Sequence, residues 1–256
     1  MKNGESQTFP KNNDRVTVIE AMLLISLCIA HQLSKLTGSL IYRQHNKSSK
    51  VKLVIIASLM QFNLLTCIRF IHRTNQDEYL EFTNGDGCWS YIGPRKGKPQ
   101  EISLSTSGCV RVGIIQHEVM HALGFHHEHT RSDRDKYIDI IINNIEPGSY
   151  GNFKIRHSNN LGAPYDYGSI MHYGRYVFSK GHGFPTILPK PNRTVPIGQI
   201  RGLSELDIIK INRLYNCNPT FRLSLNHMQA YIFGQYTKWN LVKIYADYIE
   251  HAILIG

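Results

Sequence analysis

The chain has 256 residues, 42% of them hydrophobic, with 13 histidines and a formal charge of +10. That is enough to bury a substantial core in one domain carrying extensions. The lysines and arginines are scattered, and the densest basic run, Arg95 to Lys98, lies in a Gly/Pro turn. With no recognition helix or stacking module beside it, the charge reads as a solvated surface and not as a nucleic-acid face.

The first element in chain order is AMLLISLCIA, residues 21–30, preceded by Lys2, Lys11 and Arg15. It fits the apolar region of a signal peptide (residues 1–30) with Ala30 as the cleavage residue, which predicts a secreted protein. It is too short to span a bilayer. Val51 to Leu65 is interrupted by Lys52, Gln61 and Asn63, so no stable membrane span is expected. Without residues 1–30, the cysteines are Cys67, Cys88, Cys109 and Cys217, an even number suited to two disulfides in an oxidising compartment. Their spacing leaves three connectivities open. The sequons at Asn46 and Asn192 agree with secretion, whereas the one at Asn218 is blocked by Pro219.

Residues 31–50 are polar, irregular and unassigned. Val54 to Leu65 has helical apolar spacing, and IRFIHR after Cys67 reads as a strand. TNQDEYLEFTNGDGCWSYIG reads as strands around a Gly/Asn/Asp turn, and ISLSTSGCVRVG as another short extended piece. Val112 to Leu123 is apolar with helical period, and Gly124 supplies its stop. After Arg131 the chain is rich in loops. LSELDIIKINRLYNC opens on a Ser-x-x-Asp cap and continues as a helix toward Cys217. Residues 218–256 form a separate tail rich in Tyr and Phe, helical from Asn240 onward.

The chemistry concentrates in HEVMHALGFHHEH, His117 to His129. On a helix, His117 and His121 are four residues apart, so both imidazoles emerge on one face and can meet one ion. Glu118 is rotated about 100° from His117, beside an ion and not on it, which suits a carboxylate that handles water. Gly124 can take positive φ and turn the chain back, bringing His127 into reach as a third ligand. His126 and His129 are its rivals, otherwise ordinary surface histidines. The spacing HExxHxxGxxH favours His127, and three nitrogens leave an open coordination position, as catalytic zinc requires. Downstream, SIMHYG (169–174) puts Met171 in a tight turn with Tyr173 two residues later. Met171 reads as core filler or as an apolar floor under the ligands. Tyr173 reads as an ordinary phenol or as one that reaches the ion or an oxyanion.

HEVMHALGFHHEHTRSDRDKY together with YDYGSIMHYG resembles the astacin family of secreted zinc endopeptidases, within the metzincins, from about Ala57 to Cys217. Several features also resemble hatching-enzyme-type members. The resemblance implies an α+β, two-lobed catalytic domain over residues 51–217. A twisted sheet would form the upper lobe, the zinc helix the cleft floor, and loops the lower lobe. It implies His117, His121 and His127 as ligands of one Zn2+, Glu118 as general acid/base, Met171 in the Met-turn and Tyr173 as a transition-state donor. It pairs Cys67 with Cys217 and Cys88 with Cys109, and gives Glu128 the mature N-terminus as its salt-bridge partner. Substrate would be an extracellular protein, egg-envelope or matrix, lying along an edge strand in the YLEF and CWSYIG region, with Arg201 or Lys190 lining a pocket for an acidic residue. Two departures stand out: residues 31–50 do not read as the family's N-terminal strand, and no propeptide with its zinc-blocking aspartate is apparent. The first of these leaves a catalytically impaired zinc-binding module as the alternative.

Overall fold

The computed structural model describes residues 39–44 and 48–217. The expected signal segment and the tail after Cys217 lie outside the described residues. The first described element is a strand, β1 (Ser39–Gln44), followed by helix α1 (Ser49–Leu65) and strands β2 (Arg69–His72), β3 (Leu80–Thr83), β4 (Cys88–Ser90) and β5 (Gln100–Leu104). The strands form one sheet in the order β2-β1-β3-β5-β4. All neighbours run parallel except β4, which is antiparallel to β5 with Cys88 opposite Leu104.

Two expectations are corrected here. Residues 31–50 do contain a strand: β1 pairs on both sides, Ser39 opposite Arg69 and Tyr42 opposite Leu80. A strand built of SLIYRQ is defined by partners roughly 30 to 40 residues away, so its own pattern is a weak signal. YLEF is also not at an edge, because β3 lies between β1 and β5. The edge toward the site belongs to β4.

Helix α1 packs Ile55, Leu59 and Phe62 in one core with Ile68, just before β2, and the sheet residues Phe82, Ile102 and Leu104. It ends where the Thr66 hydroxyl donates to the Phe62 carbonyl at 2.7 Å. The next residue is Cys67, disulfide-bonded to Cys217; the second disulfide joins Cys88 at the edge strand to Cys109. Helix α2 (Val112–Ala122) adds Ile115, Val119 and Met120 to this core, and helix α3 (Glu205–Leu214) adds Ile208 and Ile211. Gly113 is required for the close approach: a Cβ there would overlap the carbonyl of Ile200. Gln116 is fully buried and satisfied, donating to Gln61 at 2.8 Å and accepting from the Leu203 amide at 3.2 Å.

The segment after Arg131 is mostly short turns, as expected, but it also holds a two-stranded ladder. Strand β6 (Ile138–Ile140) pairs antiparallel with β7 (Ile187–Pro189). It carries a second apolar cluster of Ile138, Ile145, Phe153, Tyr165 and Ile187. The architecture is α+β.

Candidate metal centre

Helix α2 presents His117 and His121 on one face, one turn apart. Its end is a Schellman motif. The Phe125 amide donates to the Met120 carbonyl at 3.0 Å and the Gly124 amide to the His121 carbonyl at 2.8 Å, with Gly124 at φ +99°. A side chain at that φ would be strained. The reversal carries His127 back over the helix, and its Nε2 lies 3.2 Å from Nε2 of both His117 and His121.

Two nitrogens each 2.0–2.1 Å from a tetrahedral ion are about 3.3 Å apart. The donor set therefore fits a zinc-sized ion. The tautomers fit as well. Nδ1 of His117 lies 2.8 Å from the Ile170 carbonyl, and Nδ1 of His121 lies 2.8 Å from the Phe125 carbonyl. A carbonyl only accepts, so those Nδ1 atoms carry the protons and the Nε2 lone pairs face the centre. Burial lowers the pKa of all three imidazoles, that of His121 to about 4, so they are neutral and able to bind metal at physiological pH. Among the described residues, these three are the group whose ligand atoms converge, within 4.8 Å of one another.

The rivals separate cleanly. His126 is exposed. His129 is not the surface histidine its sequence context suggests. It is fully buried, its Nε2 donates to the Asn152 carbonyl at 2.9 Å, and its ring stacks on Tyr173 at 4.0 Å.

Glu118 is buried beside the histidines, and loss of solvent pushes its carboxyl up to about 7. Tyr173 is half-buried, with its ring centroid 4.4 Å from that of His127. Burial and the nearby Glu118 carboxylate push the phenol up to about 12, so it is a hydrogen-bond donor at neutral pH. Met171 is buried in the main core with Met120, and its carbonyl accepts the Glu128 amide at 2.9 Å.

Helix α3 locks that turn. Ser204 and Asp207 form a capping box, and the Asp207 carboxylate also accepts from the Ser169 hydroxyl at 2.6 Å and the Ile170 amide at 2.9 Å. The cap was legible in the sequence; its second task was not, because Asp207 and Ile170 are 37 residues apart. Glu128 is buried and accepts from Lys210 at 2.7 Å, Arg131 at 3.0 Å and the Asp166 amide at 2.9 Å. The charge of Lys190 is paired with Asp139 at 3.0 Å, and Arg201 is exposed. On the other side, the loop after β4 is tied to the helix by the Gly93 amide, which donates to the His121 carbonyl at 2.9 Å. Trp89 and Tyr91 stand exposed along this edge.

Fold and site together define an α+β protein built around three histidines that could hold one metal ion. The model of a peptidase family described as Astacin matches residues 31–216, and the chain belongs to that family. High choriolytic enzyme 1 of Oryzias latipes is 53% identical over 163 residues, covering 64% of this chain and 60% of the relative. The astacin-like metalloendopeptidase of Gallus gallus is 52% identical over 162 residues, 63% of this chain and 39% of its own length. The chain thus spans about 60% or less of these relatives. Among solved structures, high choriolytic enzyme 1, described as a hatching enzyme zinc-protease from medaka, is similar with a TM-score of 0.68 and 48% identity. That match covers 70% of this chain and 90% of the other.

Proposed function

We propose that this chain is a secreted zinc-dependent endopeptidase that cleaves extracellular proteins. The observation that carries the reading is the convergence of three neutral imidazole nitrogens at 3.2 Å spacings beside a buried carboxylate. His117, His121 and His127 hold the ion. When bound, zinc supplies Lewis acidity that polarises a carbonyl and acidifies water. Glu118 takes the proton of the attacking water and delivers it to the departing amine, a transfer matched by a carboxyl raised toward neutrality. Tyr173 donates its O–H to the developing oxyanion. Substrate lies extended beside β4, an edge strand paired on one side only among the described residues, whose following loop is tied to the zinc helix by the Gly93–His121 contact.

Two disulfides suit an oxidising compartment, and among the described residues no helix is long and apolar enough to cross a membrane. A hatching-type role, with an egg-envelope glycoprotein as substrate, is supported by the relatives named as choriolytic and hatching enzymes. The impaired-module alternative rested on a missing first strand, and β1 supplies one. The test is cleavage of casein or gelatin with and without a chelator. His121→Ala is expected to lose both zinc and turnover; full proteolysis by that variant would refute the assignment.

A further inference from the structure

Behind the ligands lies a buried charged cluster that the hydrolytic chemistry does not use. Glu128 follows His127 directly in the chain. Its backbone is bonded to the Met171 carbonyl, and one carboxylate oxygen accepts Lys210 Nζ at 2.7 Å. Lys210 comes from α3, 82 residues further along, and its side chain is only 7% exposed. Burying an ammonium costs desolvation and side-chain entropy that an apolar residue at the same helical position would avoid. Its geometry accounts for it. On α3, Asp207 and Lys210 are one turn apart, with Nζ 3.8 Å from the Asp207 carboxylate. Asp207 grips Ile170, whose carbonyl orients His117. Lys210 grips Glu128, the neighbour of His127. One face of one helix therefore holds the carriers of two of the three ligands.

We propose that Lys210 is a positioning residue for the third metal ligand, its ammonium holding the Glu128 carboxylate and thereby His127 at ligand distance. This rests on the zinc reading above. The alternative position for Glu128 is visible: a cavity of about 210 Å³ is lined by His127, Glu128, Arg131, Leu161 and Lys210. Without the ammonium, buried Glu128 keeps Arg131, itself also paired with Asp133, as its cationic partner, and buried Asp207 loses the ammonium 3.8 Å away. Glu128 then gains by turning into the cavity toward water, and the backbone carrying His127 goes with it.

The test compares the zinc dissociation constant, by chelator competition, and the visible spectrum of the cobalt(II)-substituted protein across variants of the full chain. Lys210→Met is expected to weaken zinc about 10- to 100-fold and to alter the cobalt bands, as loss of an outer-shell partner does. Lys210→Arg, which keeps the charge, is expected to recover affinity to within about threefold. A folded Lys210→Met with wild-type zinc affinity and cobalt spectrum overturns the proposal. Should that variant not fold, Glu128→Gln/Lys210→Met, which removes both charges, carries the test. Zinc weakened at least about tenfold supports the positioning role. Wild-type affinity and spectrum show that the pair serves folding alone and overturn it. A wild-type chain that takes up no zinc in the same titration defeats the zinc reading instead.

Discussion

Replacing Tyr173 by Phe removes one oxygen and leaves the ring. That ring stacks on His129 at 4.0 Å and packs against His127 at 4.4 Å, contacts that Phe retains. Among the described residues no hydrogen bond engages the hydroxyl, so its loss leaves no buried partner unsatisfied, and folding stability should change by less than about 1 kcal/mol. Zinc content should be unchanged. On the proposed mechanism the hydroxyl acts only on charge that develops during reaction, and losing one such donor costs about 3–4 kcal/mol, or roughly 100- to 1,000-fold in kcat. Steady-state cleavage of a quenched fluorescent peptide reads kcat and KM separately. The expected result is a large fall in kcat with KM nearly constant. A variant within about threefold of wild-type kcat would show that the phenol is core packing and that the oxyanion role is wrong.

Three further outcomes follow from the same geometry. Glu118→Gln should keep one zinc per chain and lose about 100- to 10,000-fold in kcat, measured by metal analysis and peptide cleavage; retained turnover would remove Glu118 from the proton path. Cys67→Ala/Cys217→Ala opens a loop closed over a 150-residue separation, and chain entropy puts the loss at about 5 kcal/mol. Urea unfolding should show it, and an unshifted midpoint would mean that the bridge contributes little. The third concerns acid. Burial holds His172 at about 4, and its ring is bonded to the Tyr165 hydroxyl and the Tyr173 carbonyl. Its folded pKa is depressed below the ordinary 6.5, so stability is fully present above about pH 6.5 and is lost as pH falls toward 4. By about pH 5 this one ring should cost about 2 kcal/mol, and a urea midpoint that stays flat between about pH 7 and pH 5 would contradict that.

The legible parts of this molecule were those with local causes. Helix α2 is announced by apolar period and ended by a glycine whose left-handed conformation is observed, and α3 by a capping box that forms as written. His117, His121 and His127 could be picked out because helix pitch and one reversal dictate where their rings go. What was missed depends on distant partners. Strand β1 exists through β2 and β3, and the three-residue strands β6 and β7 through each other. The interior position of β3 is likewise a fact about neighbours, because alternation along one strand does not say which strands flank it. His129 and Lys210 look like surface residues in sequence. Phe153 and Tyr173 cover the first, and Glu128 holds the second inside. A lysine at helical spacing with apolar residues, three beyond a capping aspartate, was the one available hint.

The most direct measurement is an anomalous-scattering map at the zinc edge on crystals of the protein grown with zinc. The account predicts one peak per chain, with Nε2 of His117, His121 and His127 about 2.0–2.1 Å away and at least one coordination position not filled by protein. A map with no peak there, or with the ion bound through His126 or His129 in place of His127, would contradict it.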